Sequence, residues 1–435
     1  MNEMGLMEQS RVAVVAVDMG YGHLRAAHAL AAHLGVAVEE IDRPPLASPD
    51  EQAHWQRARS AYELISRASQ MPLLGGASRR LLDLLTAIPH LHPRRDLSAP
   101  NAAVRALERL RRAGFGDGLL MRLERHGATL LTTFYAPAVL ADLAGWPRIA
   151  CVVTDSDLHR VWAPRDGAGS AIHYCVPSMR ALRRLRAYGV PAGHIHFTGF
   201  PLPDELVGDE ELGPLRHNLG RRLVRLDPRG AFREQLREPV ARMLGPLPPN
   251  QEGRPPLLVF AVGGAGAQAG LAREFLPALA EPLRRGSLRL ALVAGVRAEV
   301  ASAFERALTG CGLGDELGRS VAILHEPGVA SYLRSFVALL ADADVLWTKP
   351  SEVSFYAALG LPLVLGHPVG VHERYNRRWV LQHGAGLKQE SPLHAWGWLK
   401  EWLEDGTLAA AAWAGYTLLP KHGTHRIAEV VAGLG

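Results

Sequence analysis

Short apolar runs alternate with segments of helical periodicity through most of the chain. The first run, residues 11–17, is almost continuously apolar, as expected for a strand of a parallel sheet covered on both faces. After a turn that contains glycine, Leu24, Ala31 and Leu34 follow at helical spacing. The same order of strand, turn and helix begins again at residue 257. This pattern predicts an α/β protein with two doubly wound, Rossmann-like domains.

The remaining apolar runs extend this alternation through both halves of the chain. They predict strands at residues 128–133, 148–153, 174–176, 290–293, 321–324, 345–347 and 363–365. Helical periodicity dominates residues 50–112, and a last helix is predicted over residues 395–403, followed by a tail. No apolar run reaches the roughly 18 residues that a membrane-spanning helix needs.

A change of composition separates the two halves. Residues 202–256 are rich in proline, arginine and glycine, which predicts an interdomain connection with one or two short helices. The predicted domains are therefore residues 1–201 and residues 257–415. Residues 416–435 form a C-terminal tail, for which a return to the first domain is one option.

Charge and cysteine content narrow the class of protein. The 435 residues carry a formal charge of +5, and arginine pairs such as Arg111-Arg112 lie among leucines in the first half. A solvated helix face and attraction to an anionic membrane surface both explain such pairs. The three cysteines lack metal-ligand spacing, and the N-terminus lacks the features of an export signal. We expect a cytoplasmic protein, peripheral on the inner face of the plasma membrane if the second explanation holds, without a nucleic-acid partner.

The first predicted strand runs into a turn that contains Gly20 and Gly22 and leads to His23. Glycines at this position let a ligand approach the backbone, and a histidine in the first helical turn faces the same space. A functional role and a capping or packing role for His23 are both open. The second half repeats the design at Gly263, Gly264 and Gly266, and the repetition predicts two domains that face one cleft.

Two aspartates follow the strand at residues 148–153. Asp155 and Asp157 form a D-x-D pair, which holds a divalent metal in some sugar transferases. His159 and Trp162 follow closely and allow a different explanation, which a family resemblance supplies below.

The segment from Thr348 to Glu352 joins a predicted strand to a predicted helix. A turn of this kind exposes backbone N–H groups, so together with Lys349 it suits an anion such as a pyrophosphate. Glu352 and Glu373 are then suited to accept hydrogen bonds from sugar hydroxyls. The alternative is that Thr348 or Ser351 caps the helix and that both glutamates are solvated.

Six short motifs, in order, resemble those of one group of GT-B glycosyltransferases. This group contains monogalactosyldiacylglycerol synthase, the processive diacylglycerol glucosyltransferases and the peptidoglycan N-acetylglucosaminyltransferase. The motifs are GYGH at 20–23, TDSDLHRVW at 154–162, TGFP at 198–201, VGGAGAQ at 262–268, TKP at 348–350 and HERYN at 372–376. The resemblance implies the GT-B fold and a hexosyltransferase activity.

The resemblance also implies roles for individual residues. His23 matches the histidine that acts as, or positions, the base at the acceptor hydroxyl, and Asp155 and His159 are expected beside it. The expected acceptor-binding residues are Gly20, Gly22 and Trp162, so that the D-x-D pair need not hold a metal. The expected donor-binding residues are Gly263, Gly264, Gly266, Thr348, Lys349, Ser351, Glu352, His372, Glu373 and Asn376.

The chain departs from the family pattern at two places. Ser351-Glu352 follows TKP directly where the family has two glycines, so that Glu352 either takes over a ribose contact or marks an altered diphosphate turn. His372 stands where the family has glutamine, which leaves the identity of the sugar open.

The resemblance implies an inverting, metal-independent transfer from a UDP-sugar, with no cofactor besides this donor. A diacylglycerol-type lipid is the implied acceptor. Two other functions remain open: a sugar-nucleotide 2-epimerase, which would need further carboxylates for proton transfer, and a nucleotide-sugar-binding protein without catalysis.

Overall fold

The computed structural model describes residues 12–68, 87–249, 253–263, 266, 268–368 and 370–435. These residues form two six-stranded sheets in which all paired strands are parallel. The order of the first sheet is β2-β1-β3-β4-β5-β6, and that of the second is β12-β11-β10-β7-β8-β9. The prediction of an α/β protein with two doubly wound sheets is confirmed.

The strands of the first sheet are β1 (Val12–Ala16), β2 (Val38–Glu40), β3 (Thr129–Thr132), β4 (Ile149–Val152), β5 (Ile172–Val176) and β6 (Ile195–Phe197). Those of the second are β7 (Leu257–Ala261), β8 (Arg289–Gly295), β9 (Val321–His325), β10 (Val345–Thr348), β11 (Leu363–Leu365) and β12 (Gly386–Lys388). Every residue of β3 and β4 is buried, because helices cover both faces of a parallel sheet.

Helices fill the connections between these strands. In the first part of the chain they are α1 (Tyr21–Leu34), α2 (Pro49–Ala68), α3 (Ala102–Arg112), α4 (Asp117–His126), α5 (Tyr135–Leu143) and α6 (Met179–Ala187). They continue with α7 (Asp204–Val207), α8 (Gly213–Leu226), α9 (Ala231–Gln235), α10 (Arg237–Leu244), α11 (Ala272–Arg284), α12 (Ala298–Gly310) and α13 (Val329–Asp342). The last are α14 (Val371–Gln382), α15 (Ala395–Glu404), α16 (Thr407–Leu418) and α17 (Gly423–Ala432).

The chain divides into two compact units. Unit 1 comprises Met1–Pro203, Val369–Asn376 and Pro420–Gly435, and unit 2 comprises Asp204–Pro368 and Arg377–Leu419. Residues 204–249, which fall within the predicted connection, therefore belong to unit 2, where they form helices α7 to α10.

Three features differ from the sequence expectations. The edge strands β2, β6 and β12 were not predicted, because each has only three residues and lacks an apolar run. Glu352–Leu359 forms a 3-10 helix rather than an α-helix. The region after residue 403 is not a plain tail, because it contains α16 and α17. Four of the seven buried residues of α16 are alanine or glycine, which weakens the periodic signal.

The C-terminal helix α17 packs closely on the rest of unit 1, to which it belongs. A Cβ atom at Gly423 would lie 2.0 Å from the carbonyl oxygen of Phe200, so only glycine allows this approach. Thr424 donates a hydrogen bond of 2.6 Å to the carbonyl oxygen of Leu202. These contacts hold the segment that follows β6.

None of the helices in the described part of the chain is long and apolar enough to cross a membrane.

A fully buried arginine anchors α8 in unit 2. The Arg222 guanidinium donates to the carbonyl oxygens of Ala343, Leu359 and Gly360 at 2.7–2.9 Å. Burial lowers the pKa of Arg222 to about 10, so the group is still charged at neutral pH. The carbonyl groups of Leu359 and Gly360 end the 3-10 helix, where backbone acceptors lack partners within the helix. Arg222 therefore ties α8 to the segment that follows β10.

We predict that Arg222→Met lowers the free energy of unfolding by about 3 kcal/mol, because it leaves buried carbonyl groups without their donor. Urea unfolding followed by circular dichroism measures this loss. Arg285→Met is the matched control, since Arg285 is 75% exposed and its pair with Glu281 is worth little. Equal unfolding curves for the two variants would contradict the assigned role of Arg222.

Candidate active site

His23 lies in the first turn of α1, immediately after the turn that ends β1. Its Nδ1 lies 2.7 Å from the carbonyl oxygen of Thr133 and 3.2 Å from Oγ1 of Thr154. A carbonyl oxygen can only accept a hydrogen bond, so Nδ1 carries the proton and donates it. The Nε2 atom then holds the lone pair and is the basic nitrogen of the neutral ring. The side chain is half-buried.

A second hydrogen bond holds the backbone at the same place. The hydroxyl group of Thr133 donates to the carbonyl oxygen of His23 at 2.9 Å. Thr133 directly follows β3, the strand next to β1, and Thr154 lies two residues after the end of β4, the strand on the other side of β3. The position and the tautomer of His23 are thus set by the carboxyl ends of neighbouring strands.

Aromatic side chains form one wall around His23. The ring of Phe134 meets it edge to face with a centroid distance of 4.7 Å, and Trp162 lies at 6.4 Å. Trp162 is buried, and its backbone carbonyl accepts a hydrogen bond of 2.7 Å from the hydroxyl of Tyr174. The structure therefore brings the predicted residues His23 and Trp162 together.

The predicted glycines of the first turn differ in their geometry. Gly20 precedes α1 with φ 120, a conformation that residues with a side chain rarely adopt. Gly22 is part of the first turn of α1.

Asp155 is held by Asn376, a fully buried residue that belongs to the same unit. The Asn376 amide nitrogen donates to Asp155 Oδ1 at 2.7 Å, and its amide oxygen accepts from the backbone N–H of Ser156 at 2.8 Å. Asn376 was predicted to face the donor sugar. In the structure, both ends of its amide bind the loop that follows β4.

The two aspartates of the D-x-D pair do different things. Asp157 is fully buried, and its carboxylate accepts hydrogen bonds from Arg180 at 2.5 Å and from Arg184 at 2.8 Å and 3.0 Å. Arg184 is itself fully buried, so this pair compensates two charges in the interior. Asp157 is therefore a structural residue of unit 1, whereas Asp155 is half-buried.

His159 lies near His372, with a distance of 6.2 Å between the ring centres. Burial, with a smaller contribution from His372, lowers the pKa of His159 to about 4. His159 is therefore neutral at physiological pH, so its ring has one nitrogen that donates a hydrogen bond and one that accepts. His159 was predicted beside the catalytic His23, and His372 was predicted to bind the donor.

In unit 2, the predicted glycine turn follows β7. The N–H of Gly266 donates to the carbonyl oxygen of Gly263 at 2.8 Å, which closes a tight turn, and Gly266 has φ 67. The side chain of Lys349 lies across Gly263, because a Cβ atom at Gly263 would be 2.2 Å from Cε of Lys349. The absence of a side chain at position 263 thus allows Lys349 its place beside the turn. Gly264 lies outside the described residues.

The 3-10 helix that follows β10 begins without a side-chain cap. The Thr348 hydroxyl donates to the carbonyl oxygen of Ala261 at 3.0 Å, which ties β10 to β7. Ser351 precedes the 3-10 helix, but its side chain makes no capping hydrogen bond. Glu352 is 8% exposed and Glu373 is 1% exposed. The alternative of a capped helix with two solvated glutamates is therefore wrong.

The predicted donor-binding residues fall in both units. Unit 2 holds Gly263, Gly266, Thr348, Lys349, Ser351 and Glu352, and unit 1 holds His372, Glu373 and Asn376. Sequence reasoning missed Thr133 and Thr154 as partners of His23. The signal was present, since both threonines stand at the ends of predicted strands.

Neither a protein-family model nor a curated protein sequence matches this chain. Among solved structures, it is similar to a putative UDP-N-acetylglucosamine 2-epimerase from Listeria monocytogenes, with a TM-score of 0.52 and 11% identity over 96% of this chain and 95% of that one. At this identity, the likeness shows the fold: two Rossmann-like domains of the GT-B class.

Two further structures are less similar. UDP-GlcNAc 2-epimerase from Neisseria meningitidis has a TM-score of 0.46 and 12% identity over 78% of this chain and 84% of its own. The glycosyltransferase SnogD from Streptomyces nogalater has a TM-score of 0.41 and 14% identity over 97% of this chain and 98% of its own.

Proposed function

We propose that this protein is a glycosyltransferase that moves a sugar from a UDP-sugar to an acceptor hydroxyl, with inversion at the anomeric carbon and without a metal. The observation that carries the proposal is the arrangement of His23. Its Nδ1 donates to the carbonyl of Thr133, so its Nε2 is the nitrogen able to take a proton.

The reaction begins at the acceptor hydroxyl. His23 takes the proton as the oxygen forms a bond to the anomeric carbon, and the bond from that carbon to the UDP oxygen breaks. General base catalysis of this kind contributes roughly 10²–10⁴-fold. Asp155, held by Asn376, is suited to accept a hydrogen bond from the acceptor, and Trp162 supplies an apolar wall. In this proposal His159 is a neutral partner of the acceptor.

Unit 2 would bind the diphosphate of the donor. The Lys349 side chain lies across Gly263, so the combination of a glycine and a cation stands just beyond the carboxyl end of β7. This combination stabilises the negative charge that develops on the departing UDP. Glu352 and Glu373 are buried carboxylates, and a carboxylate is able to accept hydrogen bonds from sugar hydroxyls in several lone-pair directions.

We extend the proposal to a diacylglycerol-type lipid as acceptor, reached at an anionic membrane surface. Helix α3 supports this step, because Val104 and Leu107 are buried while Arg105, Arg109 and Arg112 are exposed. The outward face of α3 is therefore cationic, and its attraction to anionic lipids would be electrostatic rather than by apolar insertion.

A sugar-nucleotide 2-epimerase is the second candidate. It is favoured by one observation, the likeness of the whole fold to a putative UDP-N-acetylglucosamine 2-epimerase. An epimerase inverts one sugar carbon and needs no acceptor, so the fate of the nucleotide separates the two functions.

We predict that the protein releases UDP from one UDP-sugar, that anionic liposomes containing diacylglycerol raise this release, and that His23→Ala lowers it by roughly 10²-fold or more. UDP release and sugar products are measured across a panel of UDP-sugars. His28→Ala is the matched control, because His28 lies on the same helix α1 but further along it. We expect this control to keep its activity.

Other outcomes decide between the remaining functions. Conversion of a UDP-sugar into its C2 epimer without UDP release would favour the epimerase. Binding of UDP without turnover of any sugar, in the presence of every acceptor tried, would favour a binding protein without catalysis. UDP release that needs no lipid but depends on a soluble acceptor would support a glycosyltransferase and contradict the proposed lipid acceptor.

We predict that Gly263→Ala weakens UDP binding about tenfold, because the new methyl group displaces the Lys349 side chain from the turn. Isothermal titration calorimetry with UDP measures the change. Gly270→Ala is the control in the same unit, since a Cβ atom at Gly270 meets no atom within 4 Å. Equal UDP affinities of the two variants would contradict a role of Lys349 in the proposed diphosphate site.

A further inference from the structure

The geometry points to a binding site for a divalent transition-metal ion, formed by His33 near the end of α1, His425 in the first turn of α17 and Asp204, the first residue of α7. Two imidazole nitrogens and one carboxylate oxygen suit Zn²⁺ and ions of similar preference, such as Co²⁺ and Ni²⁺. The site goes beyond the proposed sugar transfer, in which no metal takes part.

The ligand atoms of the three side chains lie close together. One nitrogen of each histidine and one carboxylate oxygen of Asp204 all lie within 4.8 Å of one another. The rings of His33 and His425 have a centroid distance of 4.6 Å and an angle of 67° between their planes, so they are not stacked. Two ligands at about 2.1 Å from one ion are about 3.0–3.4 Å apart for angles between 90° and tetrahedral. Small rotations of the three half-buried side chains would therefore bring the ligand atoms onto one ion.

A short stretch of backbone sets the position of Asp204 beside His425. Thr424, the residue before His425, donates a hydrogen bond of 2.6 Å to the carbonyl oxygen of Leu202. Asp204 stands only two residues beyond Leu202, and the ring of Pro203 between them fixes one of the intervening backbone angles. The carboxylate and the His425 ring are therefore held together by the contact between α17 and the segment that follows β6.

His33 reaches the same place from α1. It stands ten residues after His23 on this helix, which corresponds to about 15 Å along the helix axis. The site is therefore far from the residues assigned to sugar transfer. An ion bound there would join α17 to α1 and to the start of α7, and its role would be to fix the C-terminal helix.

An ion pair between Asp204 and one protonated histidine is the other explanation of this cluster. Such a pair uses the charge of one ring only, and a second charged ring at a centroid distance of 4.6 Å would be repelled. A metal ion instead accepts a lone pair from each of two neutral rings and is also attracted by the carboxylate. The convergence of all three side chains thus favours the metal ion.

The experiment uses the full chain without a histidine tag, stripped with a chelator and then titrated with CoCl₂ at about pH 7.5, because the ligands must be deprotonated. It records the visible absorption of bound Co²⁺ and the heat of binding. We expect one saturable ion, which His33→Gln and, independently, His425→Gln weaken by about tenfold or more, since even the loss of an outer partner of a ligand costs about 10–100-fold. Asp204→Asn, which removes the charge and keeps the size of the side chain, is expected to weaken binding as well.

Melting temperatures provide a second measurement. Co²⁺ should raise the melting temperature of the wild type but not that of His425→Gln, because an ion that binds only the folded state stabilises it. Melting temperatures without metal show whether each variant is folded, and three separate variants keep the test decisive if one is not.

The matched control is His28→Gln. His28 lies five residues before His33 on α1, about 140° round the helix from it, so we expect this variant to bind Co²⁺ like the wild type. The proposal is overturned if no saturable binding occurs at millimolar Co²⁺. It is also overturned if the control weakens binding as much as His33→Gln, or if the folded His33→Gln and His425→Gln variants both bind like the wild type.

Discussion

The hydrogen bond from His23 Nδ1 to the carbonyl oxygen of Thr133 is the interaction on which the account of unit 1 depends. A carbonyl oxygen has no proton to give, so this one contact decides which ring nitrogen is basic. It also fixes the ring against Phe134 and Trp162. Without it the imidazole could present either nitrogen, and a role in removing a proton from an acceptor would lose its structural basis.

The parallel sheet is the reason that such a contact is possible. In a parallel sheet, the carboxyl ends of all strands lie at one edge, and helix N-termini meet them there. His23, Thr133 and Thr154 therefore come together although they follow three different strands. Unit 2 uses the same principle, since Gly263 follows β7 and Lys349 follows the neighbouring strand β10.

Much of this arrangement was predictable from sequence, because the interior parallel strands are apolar at most positions and end in polar turns. The short edge strand β2 was not, since its sequence Val38–Glu40 is mostly acidic and half-buried. Long-range side-chain contacts could not be predicted from the sequence either. Asn376 binds a loop more than 200 residues away, and Arg222 reaches carbonyl groups on two segments more than 100 residues away. No local sequence pattern indicates such distant partners, whereas His23 is part of a local motif, GYGH at residues 20–23.

The most direct measurement is the protonation of the His23 ring, by ¹⁵N–¹H correlation NMR of the histidine side chains at about pH 8, with His23→Gln for assignment. The account predicts that the single proton sits on Nδ1 and that Nε2 has the nitrogen shift of an unprotonated atom. A proton on Nε2 would contradict it, because the nitrogen assigned as the base would then be unable to accept one.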